Sequence, residues 1–266
     1  MSKFFKLAAG VLGAAAVAAA ALLLLNNAKR GACLKGEGRQ AVEACTFLLD
    51  KYPAAYRAGL LSRRAALYAK LGRQDEGAAD LKAVAALAAP GQADKALLLA
   101  AYESLVKFYA DRADQAETRK YLELAAAAGS ADPAVYVALA EEYSAEKRGA
   151  EALKLLEKAR PLGKPGHPYY NAQASAYESA GDYAKAYDAL KTGLTVNAPR
   201  PVLAATAKHL GLVCYELKRW QEAETCLSYA LRAGAVCPEC GLLLTTIRES
   251  LAPETAPAKR VKKKGR

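Results

Sequence analysis

The stretch Tyr177-Glu-Ser-Ala-Gly-Asp-Tyr-Ala-Lys-Ala-Tyr187 decides the fold that this sequence predicts. A bulky aromatic residue, Tyr177, is followed four residues later by Gly181 and five residues after that by the small Ala186. Two antiparallel helices require this order, because a wedge on the first helix and a turn must precede a small residue where the backbones approach closely. The stretch therefore predicts a helical hairpin.

The same order of residues recurs along the chain, with a spacing of 34 residues between its central copies. The five copies contain, in order, the anchors Tyr68, Tyr109, Tyr143, Tyr177 and Cys214; the turn positions Gly72, Ala113, Lys147, Gly181 and Lys218; the small or slim residues Gly77, Thr118, Ala152, Ala186 and Ala223; and the leucines Leu81, Leu122, Leu156, Leu190 and Leu227. A helix-turn-helix period of this length is typical of stacked solenoid arrays.

These residues resemble tetratricopeptide (TPR) repeats, in particular residues 177–187, Tyr68-Ala-Lys-Leu-Gly-Arg-Gln-Asp-Glu-Gly77, Trp220-Gln-Glu-Ala223 and the run Ala150-Glu-Ala-Leu-Lys-Leu-Leu-Glu-Lys-Ala159. The resemblance implies an all-α, right-handed superhelical solenoid over residues 29–252. It further implies about six hairpins, a C-terminal capping helix and a concave groove that binds protein segments. It implies no chemistry.

Composition agrees with closely packed helices. Hydrophobic residues make up 53% of the chain, yet it has only four Phe and one Trp, which argues against a β-sandwich. The last eight residues, Lys259–Arg266, belong to a predicted disordered tail, residues 253–266, and carry six of the eleven net positive charges, at Lys259, Arg260, Lys262, Lys263, Lys264 and Arg266. The repeat body is therefore no basic nucleic-acid cradle. The tail is predicted either to contact an anionic surface or to act only as a solubilising terminus.

The run Leu7–Leu25 has 19 residues without a charged side chain and predicts an N-terminal transmembrane helix within residues 1–28. A cleaved signal peptide and a buried soluble helix are the alternatives. No good cleavage site follows the run. In addition, residues 36–53 resemble the second helix of a further hairpin, whose partner would come from about residues 22–34. We therefore expect an uncleaved anchor of the membrane-anchored bacterial type. The flanking charges leave the orientation open, with a slight preference for repeats in the periplasm.

The six cysteines form three pairs. Cys33/Cys45 and Cys214/Cys226 share a spacing of 12 residues, but antiparallel register places the second pair too far apart for a disulfide. These four residues are predicted to be small core residues. The pair Cys237/Cys240, with Pro238 suited to the first turn of a helix, is compatible with a disulfide, a redox pair or half a metal site.

No other pattern predicts chemistry. The sequence has no phosphate-binding glycine loop, nucleophile elbow or paired metal motif, and neither His167 nor His209 is at a ligand spacing from the Cys237/Cys240 pair. The prediction is therefore a protein that is not an enzyme and holds no cofactor or metal.

The expected function is a membrane-tethered scaffold that binds a partner peptide or helix in its groove, in an envelope assembly. The alternative is an accessory redox or metal-binding module that acts through Cys237/Cys240. The groove positions implied by the resemblance are Arg63, Ala66, Lys70, Glu103, Lys107, Asp111, Val137, Glu141, Asn171, Ser175, Glu178, Lys208, Leu212 and Tyr215. Family members that grip a carboxylate use Lys, Asn and Arg at slots that here contain Ser62, Glu103, Val137 and Asn171, so that clamp is absent.

Overall fold

The computed structural model describes residues 26–52, 54–87 and 94–251, and every regular element in these ranges is helical. The chain divides into two compact units, Met1–Ser130 and Ala131–Arg266. The apolar run Leu7–Leu25 and the basic tail lie outside the described residues. None of the helices in the described ranges combines the length and apolarity that crossing a bilayer requires.

The described part of the first unit contains three helical hairpins. Its helices are α1 (26–35), α2 (Gly38–Lys51), α3 (Ala54–Lys70), α4 (Gln74–Ala86), α5 (Lys95–Ala110) and α6 (Gln115–Ala127). From α2 onwards each helix of this unit packs against the next one in the chain.

The second unit, as far as residue 251, contains three more hairpins and a single further helix. Its helices are α7 (Pro133–Ala145), α8 (Gly149–Ala159), α9 (His167–Ser179), α10 (Tyr183–Leu194), α11 (Arg200–Glu216), α12 (Trp220–Arg232) and α13 (Cys240–Leu251). The prediction of about six hairpins and a capping helix is confirmed for the described residues. The superhelical hand stays a prediction.

All five turn positions that the sequence indicates adopt a left-handed backbone conformation, with φ between 56° and 79°, although only Gly72 and Gly181 are glycines. The residue after each turn position donates its backbone N–H to the carbonyl oxygen of the anchor. In the hairpin α7/α8, for example, the distance from the Arg148 nitrogen to the Tyr143 oxygen is 2.8 Å. This is the hydrogen bond of a Schellman motif, which satisfies a carbonyl at the helix C-terminus and ends the helix there.

The small residues lie where the two helices of a hairpin approach each other. Ala152, Ala186 and Ala223 are completely buried. A Cβ atom on residue 77, in place of the glycine hydrogen, would lie 3.2 Å from the Ala65 carbonyl oxygen, so α3 and α4 leave little room for a side chain there. One turn later the leucines fill the hairpin interior, and four of the five, from Leu122 to Leu227, are almost fully buried.

The prediction that Cys33 and Cys45 are unbonded core residues is wrong, because they form a disulfide with their Cα atoms 4.8 Å apart. Only residues 36–37 separate α1 from α2, whereas three residues join α3 to α4. Moreover, Cys45 is the eighth residue of α2, the position that the inward-facing leucines occupy in the later hairpins. The shorter loop and the inward position together bring the two sulfurs within bonding distance.

We predict that Ala152→Leu destabilises the protein by about 1–3 kcal/mol, because the larger side chain cannot fit between α7 and α8 without displacing them. The measurement is thermal unfolding followed by circular dichroism. Ala150→Leu, at an exposed position of the same helix, is the matched control and should leave the melting temperature nearly unchanged. Equal melting temperatures for Ala152→Leu and the wild-type chain would contradict the assigned register.

Candidate functional site

A cleft of about 360 Å³ lies in the first unit between α3 and α5, with α4 as its floor. We call it the α3–α5 cleft. Its lining consists of Ser62, Ala65, Ala66, Ala69, Gln74, Gly77, Ala78, Leu81, Ala100, Ala101, Ser104, Lys107, Phe108 and Asp111. Most of these side chains are small, so the backbone of a bound segment could approach the helices closely. Three of the predicted groove residues, Ala66, Lys107 and Asp111, lie here together.

The α3–α5 cleft also contains a polar atom without a partner. The hydroxyl oxygen of Ser62 is buried and has no hydrogen-bond partner among the described residues. A buried hydroxyl in this state costs free energy that a hydrogen bond to a ligand would recover. At the exposed end of the cleft, Lys107 lies in the last turn of α5 and Asp111 follows the last residue of that helix. The arrangement suits an apolar segment that also offers a backbone or side-chain hydrogen bond.

The second unit has its own cleft of about 360 Å³, the α7–α9 cleft, which is lined by Pro133, Ala134, Val137, Ala138, Glu141, Ala159, Gly163, Lys164, Pro165, Gly166, Pro168 and Tyr169. One wall is α7, and the other is the loop that leads from α8 into α9. The predicted groove residues Val137 and Glu141 both line it.

Glu141 is the acidic residue of the α7–α9 cleft. Although much of its side chain is exposed, contact with the cleft wall removes water from the carboxyl group. This desolvation raises the pKa of Glu141 above its ordinary value, and the negative charge of Glu142 adds to the shift. No ion-pair partner of Glu141 is found in the described ranges.

Other predicted groove residues of the first unit are engaged by their own chain. Arg63 donates from Nε to the Cys33 oxygen at 3.1 Å and from Nη2 to the Gly36 oxygen at 2.8 Å, so it caps the end of α1. Lys70 forms an exposed ion pair with Glu37, with 2.6 Å between nitrogen and oxygen. Glu103 accepts a hydrogen bond of 2.5 Å from the Ser130 hydroxyl.

In the second unit, Asn171 donates to the Thr206 hydroxyl at 3.2 Å, but its own side-chain oxygen is buried without a partner among the described residues. Glu178 pairs with His209. The remaining predicted residues of this unit include the half-buried Ser175, Lys208, which donates to the Val236 oxygen at 3.2 Å, and Leu212 and Tyr215, which pack against the core. Some predicted groove residues of this unit are therefore engaged in contacts within the chain, whereas others could contact a ligand.

The predicted groove residues include only part of the lining of each cleft. The prediction took its positions from the first helix of each hairpin, whereas Leu81 belongs to a second helix and Gly163–Gly166 to a loop. The glycine and proline content of the segment Gly163-Lys-Pro-Gly-His-Pro168 was the only available signal that this loop has a particular shape.

The predicted redox or metal pair of the second unit is bonded and buried. Cys237 and Cys240 form a disulfide, and both are buried. The sequence suggested that Pro238 lies in the first turn of a helix. Helix α13 begins at Cys240, however, so Pro238 precedes it. A redox pair needs an accessible sulfur, so this burial favours a structural disulfide. No group of His, Cys, Asp and Glu that could hold a metal is found in the described ranges.

Cys214 and Cys226 are unbonded, as predicted. Cys226 is the seventh residue of α12 and not the eighth, so it lies beside the inward-facing position and is only half-buried. Burial raises the pKa of Cys214 to about 12 and also raises the pKa of Cys226. Both groups are therefore neutral thiols near neutral pH and poor nucleophiles.

Comparison with solved structures identifies the fold. YrrB, described as a TPR protein with an unusual peptide-binding site, superposes with a TM-score of 0.58 at 17% identity, over 78% of this chain and 100% of that chain. The pilus biogenesis factor PilW gives 0.53 at 14% identity, over 73% and 86% of the two chains. A chain of the APC/C hetero-tetramer Cut9-Hcn1 gives 0.53 at 12% identity over 80% of this chain, and the match covers 43% of the length of that chain.

No protein-family model and no curated protein sequence matches the chain. The described residues thus form an array of antiparallel helical hairpins. Its fold is that of the tetratricopeptide-repeat proteins, as the sequence predicted.

We predict that Glu141→Gln raises the melting temperature at pH 7 by a small amount, on the order of 1–2 °C, because solvent screening limits the effect. Folding raises the pKa of this carboxyl group, so its ionised form destabilises the folded state. Replacing it with a neutral amide removes this free-energy cost of folding. The gain should vanish at about pH 4, where Glu141 itself is protonated. Glu249→Gln, at an exposed position of α13, is the control. A lower melting temperature for Glu141→Gln at pH 7 would contradict the assigned environment.

Proposed function

We propose that this protein is a non-enzymatic scaffold, tethered to a membrane, that holds a peptide or helix of a partner protein in its TPR-like groove. The α3–α5 cleft is the observation that supports this function best. It combines a lining of mostly small side chains with the hydroxyl of Ser62, which has no hydrogen-bond partner among the described residues, and with the exposed charges of Lys107 and Asp111. YrrB, which has the same fold, is described as having a peptide-binding site.

The disulfides support an oxidising compartment. Cys33–Cys45 and Cys237–Cys240 are both bonded, and such bonds persist in the bacterial periplasm or outside the cell but are rare in the cytosol. Among the expectations from the sequence, this favours repeats on the periplasmic side over repeats on the cytoplasmic side, and an envelope assembly as the setting.

The membrane tether is proposed on the sequence of residues 7–25, which is apolar throughout and long enough to cross a bilayer. Helix α1 follows directly, at residues 26–35, and the Cys33–Cys45 disulfide attaches it to α2. An anchor of this kind would join the first hairpin with no intervening linker. The basic tail is proposed as an electrostatic contact to an anionic surface, where each Lys or Arg contributes about 1 kcal/mol.

The alternative function, redox or metal chemistry at Cys237/Cys240, has weaker support. Both sulfurs belong to buried residues, and burial limits access to a disulfide. Replacement of both cysteines by Ser distinguishes the two proposals, since a scaffold should keep its partner when the disulfide is lost.

We predict that a photo-crosslinking amino acid at position 69, in the α3–α5 cleft, forms an adduct with the partner in native membranes, and that Ala66→Trp reduces this adduct about tenfold or more. Trp at position 66 fills the cleft, and a tenfold loss corresponds to about 1.4 kcal/mol of binding free energy. The matched control is Ala79→Trp, at an exposed position of α4 that does not line the cleft. Adducts that are equally strong in both variants would contradict groove binding.

We predict that the full chain stays with membranes after high-salt and carbonate washing, because a segment of 19 apolar residues holds a protein in the bilayer. Its N-terminus should remain at or near Met1. Protease added to spheroplasts should degrade the repeats if they face the periplasm. Release by carbonate, or an N-terminus beyond Ala20, would contradict the anchor.

A further inference from the structure

The walls of the α7–α9 cleft are mostly apolar. Pro133 and Val137 belong to the α7 wall, and Pro165, Pro168 and Tyr169 belong to the loop and the start of α9. Each proline ring fixes one backbone dihedral angle, which limits the conformations open to the loop wall. The volume of about 360 Å³ lies in the range of pockets that enclose a small ligand or a single large side chain.

Glu141 lies in this cleft without a counter-ion among the described residues, unlike many other acids of the same unit. Acidic residues of the second unit that pair with a basic side chain include Glu146, Glu151, Glu178, Asp182, Glu222 and Glu224. A carboxylate beside apolar walls has lost part of its hydration without receiving a cation in exchange. A cationic ligand would therefore stabilise the ionised form of Glu141.

The charged residues near Glu141 do not neutralise its carboxylate. Glu142, next to it on α7, is negative and makes the site more favourable for a cation. Lys164, on the loop wall, lines the same cleft, but no ion pair between Lys164 and Glu141 is found in the described ranges. The end of the cleft at Glu141 therefore carries a negative charge without an ion-pair partner among the described residues.

We infer that the α7–α9 cleft is a recognition pocket for a Lys or Arg side chain of the partner segment, with Glu141 as its counter-ion. The aliphatic part of such a side chain would lie against Val137 and Pro168, while its charged end would reach the carboxylate. This inference rests on the proposed scaffold function and adds the chemistry of one anchor residue of the partner.

Other occupants fit the charges less well. A purely apolar side chain would bury the walls but would remove still more water from an unpaired carboxylate, which costs free energy. An acidic side chain would meet the like charge of Glu141 and, even if Lys164 on the loop wall attracted it, would leave that carboxylate unpaired. Only a cation combines burial of the walls with a charge-assisted hydrogen bond to Glu141.

The test uses the full chain in detergent micelles and two fluorescent synthetic peptides of the sequence Ala-Pro-X-Pro-Ala, where X is Lys in one and the uncharged norleucine in the other. Fluorescence anisotropy measures the dissociation constant of each. We expect the Lys peptide to bind the wild-type chain about tenfold more tightly than the norleucine peptide. Glu141→Gln should abolish this preference, whereas the control Glu249→Gln should retain it.

Three results would overturn the inference: equal binding of both peptides to the wild-type chain, a Lys preference that survives Glu141→Gln, or no saturable binding of the Lys peptide at millimolar concentration. Each of them is separable from a failure of the scaffold function. If the Lys preference is absent while the adduct from position 69 persists, only the role of Glu141 is wrong. If the adduct and the Lys preference are both absent, the proposed groove function fails as well.

Discussion

The hydrogen bond that closes each left-handed turn is the interaction on which the rest of the fold depends. It runs from the residue after the turn to the carbonyl of the anchor, and it recurs in five hairpins with nitrogen–oxygen distances of 2.8–3.1 Å. Because it sets where the first helix ends and the second begins, it also sets which residues of the two helices face each other. The small residues meet the opposite backbone, and the leucines enter the interior.

The same turn organises the polar surface around it. In the hairpin α7/α8, Arg148 follows the turn, places its guanidinium 4.0 Å from the centre of the Tyr143 ring and pairs with Glu151 at 2.7 Å. In α3/α4, Arg73 takes the same role with Tyr68 and Glu76. Exposed ion pairs contribute little to the free energy of folding. These contacts therefore recur at the turn but add little to its stability.

The α7–α9 cleft lies beside an irregular connection between two hairpins. The chain leaves α8 through a short 3-10 turn at Arg160–Leu162 and then forms the loop wall of this cleft. The α3–α5 cleft, by contrast, is lined by residues of the hairpin helices α3, α4 and α5 and by Asp111, which follows α5. Regular repeats and an irregular connection thus both contribute to the concave sites.

The sequence by itself determined the hairpins, their turns and their interior. These features depend on residues close together in the chain, so the positions of Gly181, Ala186 and Leu190 are enough to predict them. It also predicted that Ala66 and Glu141 lie on a binding face, since register alone assigns a residue to a face of its helix.

Tertiary structure decided the features that join separate segments. The Cys33–Cys45 disulfide required a shorter loop than the repeat pattern implied, and the hydrogen bonds with which Arg63, a predicted groove residue, caps α1 join two separate segments. Likewise, the unpaired state of Glu141 among the described residues depends on which charges other helices and loops bring near it. A repeat pattern specifies the face on which a side chain lies, but its partners, its hydration and its pKa depend on atoms from elsewhere in the chain, which only the packed structure brings together.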